Sequence, residues 1–511
     1  MNIVGQGLLS AARARGALMD LRGTRKQLQA TQENALRRLL ARAQGTHFGR
    51  THGFSTIREA SEFSTRVPLH CYEDLKPWFD RALSGEQDVT WPGRIAYFGM
   101  SSGTTAGNKY LPISNDSIRQ QRRGGFDPLA SYLRWTSDTE LLSGKVILLG
   151  GSTALERRPS GAWVGDNTGI MARHMPRCVA SHYLPSPKTR AISDWDTKID
   201  AIVAESLDAD VRVLAGTPNW FFGLFERLLS AARRRGRTPE TVHDIWPNLR
   251  LLTGGGVNFE PYRALIRSCL ARHVPYVDVY NATEGGIMGV QDRPDDMAMR
   301  LLPDNGLFYE FVPLEELSSS RPRRVPLWEI ESGVVYALAV TTMSGIYSYL
   351  LGDCLRFVET FPHRFVFEGR SAAFLNLTGE HVSQGELERA ANFATRELGL
   401  RLREFTVTAD IAANDEGAVR HRWLMEFEST EVDTQKCAEL IDCDLSQGND
   451  DYKVHRNSRA SLLHPQVDVL RPGAFEAWMK NRGKLGAQNK VPRVLSDAAE
   501  RASLESFGRV S

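Results

Sequence analysis

The chain of 511 residues has almost no net charge: 63 Lys and Arg against 61 Asp and Glu leave a formal +2. Such a chain has no overall field for wrapping nucleic acid or coating an anionic membrane, so neither is expected as a partner. The one dense basic run, Arg233, Arg234, Arg235 and Arg237, follows an apolar stretch and reads as a solvated helix C-terminus. The six cysteines, at 71, 178, 269, 354, 437 and 443, form no CxxC pair and have no histidines at zinc spacing. A zinc module is excluded, and free thiols of a reducing compartment are expected. No apolar run approaches the roughly 18 residues that span a bilayer. The first twenty residues lack a charged start followed by an apolar core, so the expected location is cytoplasmic. Repeats, low-complexity tracts and heptads are missing as well.

What is present is a core-forming composition, 42% hydrophobic, with the alternating texture of an α/β protein. Residues 10–43 read as helix. The runs at 94–100, 145–151, 211–216, 249–256 and 276–280 are short, apolar and β-branched, and most give way to small polar residues. Helical segments separate several of them, as at 219–235, where Asn219 is the expected N-cap. Residues 334–361 read as two further strands, and "PHR" at 362–364 as a break. Beyond it come a helix near 383–398, strands near 403–410 and 421–428, and a helix near 472–482. The expected fold class is α/β: a large N-terminal α/β domain with buried sheets, 1–360, and a smaller C-terminal α+β domain, 361–511.

Ligands in such folds gather where strands end. The stretch "SSGTTAGNKYLP", 101–112, follows a strand. It lacks Walker spacing, and Pro112 disfavours the helix a Walker loop would start. A hydroxyl-rich hairpin loop fits better, with "SND" at 114–116 capping the next helix. Ser101, Ser102, Thr104 and Thr105 offer hydroxyls, Gly103 and Gly107 allow close backbone approach, and Lys109 adds one positive charge. Those groups suit polyphosphate oxygens. In "YNATEGG", 280–286, Tyr280 is placed to stack on a purine, and Thr283 and Glu284 to meet phosphate and its magnesium. Asp353, after a glycine at a strand edge, suits both hydroxyls of a ribose. Alone, each could equally be a buried Tyr, a capping Glu or a turn Asp; together they suit a purine nucleotide with its phosphates and Mg²⁺.

Together, "SSGTTAGNK", "YNATEGG" and "VTTMSGIYSYLLGD" resemble the motifs of the adenylate-forming (ANL-like) enzymes. Specifically, they resemble those of the GH3-type acyl acid amido synthetases, known from plant hormone conjugation and with bacterial relatives. "RVPLHCYEDLKPWFDRALSGE" (66–86), "FYEFVP" (308–313) and "GAFEAWMKNRGKLGAQNKVPRV" (473–494) extend the resemblance along nearly the whole chain. It implies two steps: a carboxylic acid attacks the α-phosphorus of ATP, releasing pyrophosphate, and an amine, usually an amino acid's, then displaces AMP from the acyl adenylate. Positioning and charge stabilisation would dominate, consistent with a chain that shows no Ser-His-Asp or Cys-His constellation.

The resemblance also assigns roles. Ser101, Ser102, Gly103, Thr104 and Thr105 form the phosphate loop, with Lys109 just past it. Gly254, Gly255 and Gly256 let the nucleotide lie against backbone. Tyr280 and Asn281 meet adenine, Thr283 the phosphate and Glu284 the magnesium. Tyr347 flanks the nucleotide and Asp353 holds the ribose. Arg370 sits at a hinge about which the small domain rotates. The family's small-domain lysine is replaced by His381, so either His381 or Lys490 supplies the positive charge in the catalytic role. Among Arg119, Arg122 and Arg123, one is available for a substrate carboxylate. The aromatics at 219–225 read as core rather than as an acyl pocket. An acid–thiol ligase acting through the same adenylate, or a catalytically weak ATP-binding homologue, would be the alternatives. The identities of acid, amine and oligomer are not legible.

Overall fold

The computed structural model describes residues 3–21, 24–102, 108–257, 259–317, 319, 321–370, 382–411, 419–457, 462–485, 490–495 and 497–508. The chain divides into two compact units, one of residues 1–256 and 270–366, the other of 257–269 and 367–511. It therefore passes between them three times. A strand, Arg364–Arg370, runs across the last passage where "PHR" suggested a break, and a helix from the middle of the sequence, Glu260–Ser268, belongs to the second unit. No helix of the described residues is long and apolar enough to cross a membrane.

In the first unit the N-terminal helical region is two helices, Ile3–Leu21 and Arg25–Ala43. The second is restarted by Thr24, whose hydroxyl accepts from the Gln27 amide. Its buried residues Leu28, Gln32, Leu36, Leu39 and Ala43 recur every three or four positions, one helical face. The buried amide of Gln32 is satisfied by backbone: it donates to the carbonyls of Pro303 and Leu307 and accepts from the Tyr309 amide.

The helix sits on a large mixed sheet. One half is parallel, in the order Tyr183–Leu184, Lys145–Leu148, Val211–Ala215, Leu251–Gly255, Tyr276–Ala282. The rest continues through Gly286–Gln291, Met299–Leu301, Arg364–Arg370, Ile346–Glu359, Val335–Thr342, Phe308–Pro313 and Val325–Pro326. A smaller sheet holds the hairpin Tyr97–Ser102 and Asn108–Ile113, with Trp163–Asp166 parallel to its first strand. Pro112 lies on the edge strand, where a missing N–H costs no ladder bond.

The second unit is a three-stranded sheet: Leu402–Ile411 antiparallel to Val419–Phe427, and Gln466–Leu470 parallel to the latter. Strand alternation feeds two layers. Trp423, Met425 and Phe427 pack with the helices Gln384–Glu397 and Thr434–Gly448, while Leu424 packs with Phe475 and Trp478 of the helix Ala474–Asn481. The third strand and the helix Thr434–Gly448 carry no motif and were not expected.

Candidate active site

The site begins at three adjacent parallel strand ends. Val211–Ala215, Leu251–Gly255 and Tyr276–Ala282 finish side by side, with Gly254 opposite Asp278 and Gly255 opposite Val279. The glycines are required by the backbone itself. A Cβ on Gly254 would lie 1.6 Å from the Gly216 carbonyl oxygen, and one on Gly255 1.9 Å from that of Val279. Gly256 turns the chain at φ +92, the left-handed region that suits glycine. Gly254→Ala is expected to cost about 2–3 kcal/mol, since two backbones must part. Gly7→Ala, in a helix with open space around it, is expected to gain about 0.5–1 kcal/mol. Urea unfolding of both variants checks the pair.

From the third strand the chain turns at 283–285 into Gly286–Gln291. Tyr280 is 6% exposed and donates its hydroxyl to Asp353 at 2.6 Å, while its ring meets Phe365 edge-on at 5.5 Å. Little of the ring is exposed, and its hydroxyl is placed to hold Asp353. Asn281 is exposed and Glu284 half-buried. Thr283 is buried, with its methyl against Gly99, two residues before Ser101. The turn is fastened to the helix Asn115–Gly124: Gln120 donates to the Gly285 carbonyl at 3.0 Å, and Gln121 lies against Gly286.

That helix is also where the other two motifs meet. Its N-cap Ser114 accepts from the Ser117 amide and donates to the Met343 carbonyl at 2.6 Å. The hairpin feeding the helix pairs Ser101 with Lys109, and the Lys109 ammonium lies 5.4 Å from the centre of the Tyr72 ring. Gly103, Thr104, Thr105 and Gly107 lie outside the described residues, as do the side chains of Ser101 and Ser102.

Asp353, 6% exposed, is aimed by a β-bulge. The register slips between the pairs Ala339–Leu350 and Ala337–Cys354, with Gly352 at φ +81. Tyr347 lies in the core. Its side chain is wholly buried, its hydroxyl donates to the Thr90 carbonyl at 2.6 Å, and its ring stacks on Phe48 at 4.8 Å beside Phe54. Burial pushes its phenol pKa well up. It packs in the core, in the strand segment 346–349, which is buried on both faces. Phe221, Leu224 and Phe225 of the helix Pro218–Arg234 are core as expected. Its N-cap is Thr217 rather than Asn219, since Pro218 takes the first helical position.

In the second unit Arg370 ends its strand exposed, and Lys490 is exposed in the segment 490–495. His381 lies outside the described residues.

Several residues went unread in the sequence. Asn167 is 8% exposed and donates to Gln121 at 3.2 Å, while its Oδ1 is buried with no hydrogen-bond partner among the described residues. It also borders Gly99. Nearby, Ile113, Ile118 and Ile170 form a small apolar cluster with Tyr97, Leu155 and Met171. Tyr97 meets His174 edge-on at 4.9 Å. Burial, then the charges of Arg173 and Arg122, lower the His174 pKa, and Arg122 itself is exposed on its helix. Arg119 is instead paired with Asp116. Lys198 is 2% exposed and donates to the carbonyls of Gly150, Gly151 and Arg190. It pins the loop leaving the strand Lys145–Leu148, and burial lowers its pKa to about 8.

Three family models match the chain: the GH3 family N-terminal domain over 17–197, the central domain over 300–370 and the C-terminal domain over 385–499. An indole-3-acetic acid-amido synthetase of Arabidopsis thaliana, GH3.3, is 22% identical over 94% of this chain and 91% of its own. A jasmonoyl–L-amino acid synthetase of Nicotiana attenuata is 22% identical over 91% and 90%. Among solved structures, the GH3.15 acyl acid amido synthetase superposes with a TM-score of 0.78 at 20% identity, covering 98% of this chain and 96% of its own. The large mixed sheet, the smaller C-terminal unit and the three matched regions agree, and the chain belongs to the GH3 family.

Proposed function

We propose that this protein is an AMP-forming amide ligase. It activates a carboxylic acid as its acyl adenylate with release of pyrophosphate, then transfers the acyl group to an amine, most naturally an amino acid's. The observation that carries this reading is the convergence on one helix, Asn115–Gly124, of the 283–286 turn and the Met343 turn, with Thr283 also against Gly99 of the strand Tyr97–Ser102. Three stretches far apart in sequence thus border one place at the strand ends.

In this reading the hydroxyls of 101–105 and Thr283 hold the phosphates, with Lys109 swinging off Tyr72 to join them. Asp353, steadied by the Tyr280 hydroxyl, accepts from the ribose. The glycines 254–256 leave backbone for the adenine, with Asn281 at its edge. Glu284, a half-buried carboxylate beside Thr283, is the residue suited to Mg²⁺, which when bound offsets repulsion between the incoming carboxylate and the triphosphate. The described residues contain no three-ligand metal cluster, so Glu284 would share the ion with phosphate oxygens. Arg122, exposed on the helix Asn115–Gly124, is the arginine offered to the acid's carboxylate. Arg370, and Lys490 or His381, belong to the second unit, whose rotation between half-reactions would bring a cation to the phosphate.

Amide formation is distinguished from thioester formation by AMP release. With an accepted acid and ATP, release should depend on an added amino acid and not on coenzyme A. Release driven by the thiol alone would replace this reading with that of an acid–thiol ligase.

A further inference from the structure

The second unit contains a buried ionic knot that the reaction scheme does not use. Arg493 is 4% exposed, Glu388 2%, Tyr262 2% and Glu404 8%. The Arg493 guanidinium donates to Glu388 at 3.0 Å, to Glu404 at 2.5 Å, to the Phe405 carbonyl at 2.8 Å and to the Tyr262 hydroxyl at 3.0 Å. It also lies over the Phe405 ring at 4.5 Å. Tyr262 in turn donates to both oxygens of Glu404 at 3.1 Å. Burial opposes the charge on Arg493, but Glu404, with Tyr262 and Glu388, outweighs it and holds the guanidinium well above its usual pKa. Two carboxylates and a phenol thus share one arginine through mutual hydrogen bonds. Removing one leaves another buried and unpaired.

What the knot joins matters more than its strength. Tyr262 is on the helix Glu260–Ser268, which follows the glycine turn 254–256 by a few residues yet belongs to the second unit. Glu388 also accepts from Gln384 at 3.0 Å. Gln384 packs so closely on Gly369 that a Cβ there would lie 2.4 Å away, next to Arg370. Arg493 lies three residues after Lys490, in the segment 490–495. That segment is laced to the strand Leu402–Ile411 by Val407 to Arg493, Leu495 to Val407 and Thr406 to Pro492 hydrogen bonds. One side chain therefore ties together the helix after the glycine turn, the start of the second unit at 367–370, and the carrier of Lys490.

We propose that Arg493 is a positioning residue that makes these three segments one rigid piece, so that the glycine turn at 254–256 and the Lys490 segment respond to nucleotide together. The proposal rests on the assignment of 254–256 to the nucleotide. The helix Glu260–Ser268 is then fixed within the second unit, and a change at the glycine turn reaches Tyr262 along the chain. Adenine contact and the placing of Lys490 become one coupled equilibrium instead of two.

The test is hydrogen exchange on the full chain, with and without Mg²⁺ and a non-hydrolysable ATP analogue, for the wild type and for Tyr262→Phe. This substitution removes one hydroxyl and keeps the ring. In the wild type, nucleotide should change exchange both at 254–257 and at 490–495. In Tyr262→Phe, the response at 254–257 should persist and that at 490–495 should be lost. The KM for ATP should rise about fivefold, with kcat for adenylation changed less than about twofold. Arg493→Lys, which keeps the charge but cannot bridge all four partners, should act the same way and more strongly. An identical response at 490–495 in wild type and variant overturns the coupling alone, as does a fall in kcat and thermal midpoint with KM unchanged. No nucleotide response anywhere in the wild type overturns the nucleotide assignment, and the coupling with it.

Discussion

Glu284→Gln is expected to reduce acid-dependent pyrophosphate–ATP exchange by at least about a hundredfold, the usual scale for losing one preorganised charge-stabilising group. The substitution keeps the size of the side chain and removes only its charge. Glu284 is half-buried at the end of a strand whose neighbours Thr283 and Gly286 are packed against Gly99 and Gln121. The backbone there is held by Gln120 at Gly285, so a glutamine should leave the turn in place. What it takes away is the anionic anchor for Mg²⁺, at the moment a carboxylate approaches an already anionic triphosphate. The thermal midpoint should move little, because a half-buried side chain loses no packing. Exchange within about threefold of wild type would show that another group carries the ion, since a loss of Mg²⁺ anchoring on this scale cannot be so small.

Asp353→Ala is expected to raise the KM for ATP by at least about tenfold, as two hydrogen bonds from ribose hydroxyls to a charged acceptor are each worth about 1.5–3 kcal/mol. Stability should fall too. The Tyr280 hydroxyl, 2.6 Å from Asp353 in a buried site, would lose its acceptor at a cost of about 1–3 kcal/mol. Tyr280→Phe separates the two effects. It should weaken ATP binding only as far as Asp353 loses its support, and the double variant Tyr280→Phe with Asp353→Ala should be more stable than Asp353→Ala alone. An Asp353→Ala enzyme with an unchanged KM for ATP would remove Asp353 from the ribose site.

Local features were readable and distant partnerships were not. The hairpin at 97–113 and its Ser114 cap follow from apolar residues flanking a hydroxyl-rich turn, and Pro112 marks an edge strand. The strands at 211–215, 251–255 and 276–282 follow from short β-branched runs. The burial of Tyr347 was not legible because a tyrosine inside a motif carries no mark of which way its strand faces, and the segment 346–349 is buried on both faces. The new helix start at Thr24 was not legible because the stretch 10–43 reads as helix throughout. The passage of 257–269 into the second unit depends on Tyr262 meeting Arg493, 231 positions away, and no periodicity reports a contact of that span. The strand Gln466–Leu470 is set by its pairing with Val419–Phe427, another property of the folded sheet. Asn167 follows "WVGD", a strand end that looks like any other until Gln121 and Gly99 are beside it.

The most direct test of the central claim is pyrophosphate–ATP exchange by the purified protein against a panel of aryl, indole, short-chain and fatty acids. The account predicts Mg²⁺-dependent exchange that requires one class of acid and is lost in Glu284→Gln. Binding of ATP with no exchange for any acid, in a protein that also releases no AMP when amines are added, would contradict it.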